Sequence, residues 1–389
     1  MPEAPLVTVV SPVYNGEHFL AECIESVLTQ TFTQYEYIIV NNCSTDRSLD
    51  IALDYAARDS RLRVHNNDRF VGVIENHNIA FSLISPAVKY CKVVSADDLI
   101  FPDCISRMVA IAQANPSVGI VGSYQLSGSK IRWQGFTYPR VVVPGLALCR
   151  QILLRGQKDF GFGTPTSLLY RADLVRNSGG FYPNSSPHAD TSACFKYLQK
   201  SDFGFVYQVL SYERTHKDTQ SSKSVEINRY VSAYLNDVIQ YGPFYLSKKE
   251  MGRLLKKTLY NYHRFLAVNI VGSRGKEFWS YHKSRLEELG YPLKASVLLR
   301  AAMVMVLQEI LNPEQAIRKC WRRVFPKSTD SMYRAAQPCS GDYKGFSGMM
   351  KDSESINEPP GPRPGRNPCG GFRGQARTSH TDQSTTVKE

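Results

Sequence analysis

The alternation of apolar runs, polar loops and amphipathic helices over the first 120 residues limits this chain to few architectures. Leu6-Val-Thr-Val-Val10 reads as a buried strand. The loop Ser11-Pro-Val-Tyr-Asn-Gly16 breaks it before a helix that carries Phe19, Leu20, Cys23, Ile24, Val27 and Leu28 on one face. The same unit recurs. Tyr35-Glu-Tyr-Ile-Ile-Val40 runs into Asn41-Asn-Cys-Ser-Thr-Asp46, and a helix over about 47–58 presents Leu49, Ala52, Leu53 and Ala56. Either Ser44 or Thr45 can cap that helix. Further strands are predicted around 62–65, 88–94 and 118–121, with helices near 73–83 and 102–114 between them. Such alternation specifies an α/β fold, a mostly parallel sheet with helices on both faces.

Beyond that core the loop 160–166 leads to a strand at 167–170, a helix starts near Asp190 and runs to Lys200, and 202–210 reads as a late strand. From 226 to about 324 the spacing is helical, with apolar residues at 231, 234, 235, 238 and 239, then 251, 254, 255, 259 and 262. Past Phe325 the composition turns to Gly, Pro, Ser, Asn and charge, too poor in apolar residues to offset the entropy of ordering. The expected organisation is therefore a sheet domain over 1–220, a helical extension over 221–329 and a disordered tail over 330–389.

The formal charge of +12 lies wholly in the C-terminal part: residues 1–216 hold 19 basic and 19 acidic groups, residues 217–389 hold 28 against 16. An anionic partner follows, and among those an anionic membrane surface or glycan is preferred to nucleic acid, because no stacking motif or zinc module accompanies the charge. Lys248, Lys249, Arg253, Lys256, Lys257 and Arg264 share a helical stretch with Met251, Leu254, Leu255, Leu259 and Tyr262, as in a helix packed on a domain or laid on an anionic surface. Nine cysteines, with no Cys-x-x-Cys pair, argue against a disulfide framework and against structural zinc. The opening Met-Pro-Glu-Ala-Pro-Leu has neither a basic region nor an apolar core of a secretory signal, and 297–311 is too short to span a bilayer. A cytoplasmic location, with at most peripheral membrane contact, is the expectation.

Asp97-Asp98 directly follows the apolar stretch 88–94. Open α/β sheets bind ligands at the carboxyl ends of their strands, where carboxylates suit a divalent cation held against phosphate. The competing reading makes the pair a cap for the helix after Pro102.

Taken together, Val9-Val-Ser-Pro-Val-Tyr-Asn-Gly16, Glu25-Ser-Val-Leu-Thr-Gln-Thr-Phe32, Ile38-Ile-Val-Asn-Asn-Cys-Ser-Thr-Asp46 and Ser95-Ala-Asp-Asp-Leu-Ile-Phe-Pro-Asp103 resemble, in order and spacing, the family 2 inverting glycosyltransferases with a GT-A fold. The likeness covers roughly residues 5–220. It implies a Rossmann-like sheet, a nucleotide-sugar donor, Mg²⁺ or Mn²⁺, and transfer with inversion. On it, Pro12, Tyr14 and Asn15 fall beside the nucleoside, although a plain Pro/Asn/Gly turn explains Asn15 and Gly16 equally well. Asn41 and Asn42 replace acids of the family pattern and offer amides to a base edge. Asp46, Asn78 and Ala96 join the donor-binding set, and His77 stands where an Arg commonly faces the diphosphate, or else packs within a helix. Ser95 replaces the first acid of Asp-x-Asp; Asp97 aligns with the metal-ligating acid and Asp98 lies next to it. Asp190, alternatively a helix cap, matches the base that deprotonates the acceptor. Arg214 and His216 follow the last strand as phosphate partner and metal ligand, or as an exposed strand end.

The implied activity is transfer of a sugar to a hydroxyl of a glycan or lipid-linked acceptor, in surface polysaccharide or lipopolysaccharide assembly. Because Asn41, Asn42, Ser95 and His77 depart from the family pattern, a non-catalytic nucleotide-sugar or glycan-binding protein is one alternative, and a nucleotide-sugar hydrolase is another.

Overall fold

A computed structural model describes residues 4–155, 161–184, 186–215, 227–271 and 274–311. These residues all fall within one compact unit, Met1–Pro338. The tail expected over 330–389 lies outside the described residues.

The chain begins β1 (Val7–Val13), α1 (Leu20–Leu28), β2 (Tyr35–Asn41), α2 (Ser48–Arg58), β3 (Leu62–Asn66), α3 (Val73–Ser82) and β4 (Tyr90–Val93). Next come β5 (Leu99–Ile100), α4 (Cys104–Ala114), β6 (Val118–Ser127), β7 (Lys130–Arg132), β8 (Val142–Val143) and α5 (Gly145–Arg155). A 3₁₀ turn, Pro165–Ser167, then enters β9 (Leu168–Arg171), followed by α6 (Ala172–Arg176), α7 (Ala189–Tyr197) and β10 (Asp202–Glu213). Four helices complete the described chain: α8 (Arg229–Tyr245), α9 (Lys248–Val271), α10 (Lys276–Glu288) and α11 (Ala295–Leu311).

The sheet runs β3-β2-β1-β4-β9-β6-β10-β5. β1 pairs in parallel with β2 and β4, and β2 with β3. β9 runs antiparallel to both β4 and β6, which restores the original direction, so β6 and the parallel β10 point the same way as β1 to β4. The carboxyl ends of all six of those strands open on one edge. The turn that leads into β9 arrives at that same edge, and among the described residues this reversal is the one departure from parallel order in the sheet's interior.

Strand residues alternate between two cores. Val7, Val9, Val13, Tyr37 and Ile39 pack with α1, α2 and α4, whereas Val10, Ile38 and Val40 pack with α3, α5 and α7. Burial on both faces is why these strands read as continuous apolar runs. α8 joins the second of these layers: its Val238, Tyr241 and Tyr245 belong to the same core as α7, and the Tyr234 hydroxyl donates to the Leu153 carbonyl at 2.6 Å. A separate cluster of Leu235, Tyr262, Leu266, Phe278 and Leu286 ties α8, α9 and α10 together. Within it His282 is neutral in role, its Nε2 against the Ile227 carbonyl at 2.8 Å and its Nδ1 against the Tyr262 hydroxyl at 2.7 Å, and burial lowers it to about 4. No helix among the described residues is long and apolar enough to cross a membrane.

Candidate active site

Three residues, Val94, Ser95 and Ala96, carry the chain from β4 into the acid pair. The N–H of Val94 bonds back to Val10, and Ser95 turns the backbone so that its carbonyl receives the Asp98 N–H at 2.9 Å. The two acids then part. Asp97 is half-buried at the sheet's carboxyl edge, while Asp98 is 5% exposed and points inward. Asp98 Oδ2 accepts the Thr166 hydroxyl at 2.6 Å and Oδ1 accepts the Arg214 N–H at 3.2 Å. Burial first, and the neighbouring Asp97 charge second, push the Asp98 carboxyl well above the usual carboxylate range. Both of its oxygens being committed inside the protein, Asp98 braces the loop and leaves the outward role to Asp97.

The brace has a second layer that sequence reasoning missed. Lys92 is fully buried, and its ammonium donates to the carbonyls of Thr166, Leu168 (3.1 Å) and Val93 (3.3 Å). It thereby holds the turn that delivers Thr166 to Asp98. A lone lysine inside an apolar strand was the available signal, since a buried charge demands partners. Thr166→Val keeps the shape but leaves Oδ2 of Asp98 unpaired, and is expected to cost about 1–3 kcal/mol. A urea midpoint within error of wild type would show that the bond contributes nothing.

Antiparallel pairing of Tyr212 with Leu99 brings the end of β10 beside the acid loop. Arg214 lies there, but its guanidinium pairs with Glu22 and sits over the Phe19 ring at 4.9 Å. The expected phosphate partner is thus paired with the exposed carboxylate of Glu22. His216 lies outside the described residues. Glu213, which sequence reasoning passed over, feels both Asp97 and Asp190; burial foremost, opposed by Ser127 and Arg132, raises its carboxyl above the ordinary range. Asp190 is half-buried in the first turn of α7, and its charge also acts on His77 and His188. Glu213 is thus in electrostatic reach of two acids 93 residues apart in sequence.

Among the donor-loop residues the structure separates those that hold loops from those left open. Pro12 is half-buried within β1, and Ala96 sits half-buried between Ser95 and Asp97. Asn15 adopts φ 51°, and its side chain bonds Thr45 through Nδ2 (3.2 Å) and Oδ1 (2.8 Å). Asp46 accepts the N–H groups of Glu17 and Ser48, each at 3.0 Å. Burial works to raise its carboxyl, but those bonds prevail and hold it below the usual range. Asn42 is buried, with Nδ2 on the Val71 carbonyl and Oδ1 accepting from Val71 and Asn67. Asn78 clasps the backbone of Tyr182 through both ends of its amide, at 2.9 Å each. Asn15, Asn42, Asp46 and Asn78, expected at the donor, thus join loop to loop. The neighbouring Asn41 differs: Nδ2 donates to Asn66 at 2.6 Å, while its buried Oδ1 has no hydrogen-bond partner among the described residues. At the rim Tyr14 and Phe70 are both about half exposed, with ring centroids 4.8 Å apart. His77 Nδ1 lies 2.8 Å from the Val73 carbonyl, its ring is 5.5 Å from Tyr182, and burial lowers its pKa.

Among the described residues no three His, Cys, Asp or Glu side chains are gathered as a metal cage. The donor set fits a different kind of site. Asp97, beside Asp98 and within electrostatic reach of Glu213, offers one hard oxygen ligand, and Mg²⁺ or Mn²⁺ bound with phosphate needs only one or two such protein ligands.

A doubly wound sheet whose carboxyl edge carries an acid loop, with a late acid at a helix start, defines a GT-A fold. Residues 8–178 match the family described as Glycosyl transferase family 2, and the domain they form belongs to that family. In sequence the chain is similar to an uncharacterized protein of Mycobacterium tuberculosis, 26% identical over 240 residues that make up 59% of this chain and 73% of that one. It is also similar to an uncharacterized glycosyltransferase, EpsJ, of Bacillus subtilis, with 38% identity over 30% of this chain and 33% of the relative. The glycosyltransferase GlyG of Streptococcus pneumoniae is 30% identical over 31% of this chain and 39% of its own. The chain thus spans well under half the length of those two glycosyltransferases. In structure it resembles residues 1–349 of Staphylococcus aureus TarS, solved in complex with UDP-GlcNAc, with a TM-score of 0.53 at 16% identity over 73% of this chain and 80% of that one.

Proposed function

We propose that this chain is a metal-dependent inverting glycosyltransferase that moves a sugar from a nucleotide-sugar donor to a hydroxyl of a glycan or lipid-linked acceptor, in surface polysaccharide or lipopolysaccharide assembly. The observation that supports this reading is the half-buried Asp97 on the loop that follows β4 at the sheet's carboxyl edge, with Glu213 at the end of β10 in electrostatic reach of both Asp97 and Asp190. Residues 1–220 form the catalytic domain in this reading and 221–329 its extension.

Tyr14 and Phe70 offer aromatic faces to the base, and Oδ1 of Asn41 offers an acceptor to a ring N–H. TarS binding UDP-GlcNAc supports a uridine donor. Asp97 would hold the cation, which when bound supplies Lewis-acid stabilisation of the departing diphosphate. Asp190 takes the proton of the acceptor hydroxyl as its oxygen bonds to the anomeric carbon; the bond from that carbon to the diphosphate oxygen breaks, and the nucleoside diphosphate leaves with the electron pair. Inversion follows from attack on the face opposite the leaving group. One base with a metal-held leaving group differs from the paired carboxylates of glycoside hydrolysis.

A screen of UDP-N-acetylglucosamine, UDP-glucose and GDP-mannose with Mn²⁺, read by thermal shift and by diphosphate release, tests the reading. Release that requires an acceptor supports transfer. Release without one makes the chain a hydrolase, and binding without release makes it a binding protein.

Peripheral membrane contact has its own support. Lys248, Lys249, Arg253 and Lys256 are exposed on α9, and Leu299, Met303, Val306, Leu307 and Leu311 form a row on α11, each more than half exposed. Such helices lie on anionic bilayers by apolar burial and charge. The chain is expected to sediment with anionic vesicles at low salt and to be released at high salt; no sedimentation at low salt would reject the contact.

A further inference from the structure

A carboxylate of the helical extension reaches the turn that carries Asp190. Asp237 of α8 has no solvent exposure, and its Oδ1 receives the Ser192 hydroxyl at 2.6 Å. Ser192 Oγ lies 2.7 Å from Ser186 Oγ, and Ser186 Oγ accepts the His188 N–H at 3.2 Å. The single hydroxyl proton of Ser192 goes to Asp237, which fixes the sense of the rest of the chain. Ser192 must donate to Asp237, Ser186 must donate to Ser192, and the Ser186 oxygen is then left to receive the amide of His188. Ser186 and His188 precede Asp190 and Ser192 follows it, so the chain grips the base-bearing turn from both sides.

A second contact comes from the same helix, the Tyr230 ring meeting the His188 ring edge-on at 4.4 Å. Helix packing alone does not call for a buried acid. An apolar residue at 237 would pack without the desolvation that drives this carboxyl up to about 7, and its Oδ2 has no hydrogen-bond partner among the described residues. What the acid provides is the acceptor for Ser192.

We propose that Asp237 is a positioning residue for Asp190, acting through Ser192 and Ser186, and that the helical extension is thereby part of the catalytic unit. This rests on the reading of Asp190 as the base. It is the acceptor oxygen that positions, so Asp237→Asn, whose carbonyl can still accept from Ser192, keeps the function. Asp237→Ala loses it.

The test uses the full chain and two measurements. Amide exchange over residues 186–193 is expected to quicken at least about tenfold in D237A and to stay near wild type in D237N, with 7–13 and 90–93 unchanged in both. With the donor that wild type turns over in the Mn²⁺ screen, D237A should lose roughly 10- to 100-fold in kcat with donor KM within about twofold, the mark of a misplaced base. Ser192→Ala, which removes one hydroxyl, should change both measurements in the same direction, and serves if D237A does not fold. Unchanged exchange over 186–193 in S192A and D237A overturns the proposal, as does a loss of donor KM equal to the loss of kcat. Asp190→Asn measured alongside separates the two ideas. If D190N turns over normally, the base reading fails whatever the exchange shows; if D190N is dead and D237A has normal kcat, positioning alone fails.

Discussion

Asp97→Asn is expected to weaken Mn²⁺-dependent donor binding by at least roughly 100-fold, since even residues one shell further out cost 10- to 100-fold in metal affinity. The amide keeps the shape of the side chain and removes the charge that would hold the cation. Asp97 is half-buried at the end of β4 and the fold relies instead on its neighbour, so the melting temperature of the protein alone should hardly move. Asp98→Asn should do the reverse. It alters a buried acceptor of two hydrogen bonds and should lower stability. Calorimetric titration of UDP with and without Mn²⁺ checks both variants. Donor affinity in D97N that still rises with Mn²⁺ as in wild type would remove Asp97 from the metal site.

That division of labour between adjacent acids could not be read from Ser95-Ala-Asp-Asp. The strands were legible because both faces of the sheet are buried, so 6–10 and 35–40 appear as mostly apolar runs. The sheet's interior reversal was less so, because β9 is only four residues long and its direction depends on pairing with strands far away in sequence. Between 122 and 159 the pattern gave no element, although β6 runs to Ser127 and α5 begins at Gly145. Ser123 and Gln125 are fully buried there, and polar residues inside a strand conceal its periodicity.

Within the site, motif position told where a residue lies but not which way its polar atoms turn. Asn42 and Asn78 stand at positions matched to donor contact, yet both amides close onto backbone groups. Asn41, one residue from Asn42, keeps a buried Oδ1 with no hydrogen-bond partner among the described residues. Phe70 and Glu213 belonged to no motif, and only folding brings them to Tyr14 and to the two acids. Arg214 directly follows β10, but the carboxylate that pairs with it, Glu22, comes from α1, far away in sequence.

Asp190→Asn is expected to leave donor binding intact while transfer falls by roughly 10²–10⁴-fold, the range for loss of a general base. The substitution retains size and hydrogen-bonding capacity and removes the ability to take a proton. Asp190 sits in the first turn of α7, and neither of the hydrogen bonds that brace Asp98 involves it. Its loss should therefore not be felt at Asp97, and the Mn²⁺ dependence of UDP binding should match wild type. The acid to test beside it is Glu213, whose raised carboxyl feels the charge of both Asp97 and Asp190. Comparing D190N, Glu213→Gln and the double variant resolves this: if Asp190 is the base, D190N carries nearly the whole loss and E213Q alone leaves most of the rate. Near-normal turnover in D190N with a collapse in E213Q would transfer the role to Glu213 and would place the base on the last strand of the sheet instead of on the helix that the extension supports.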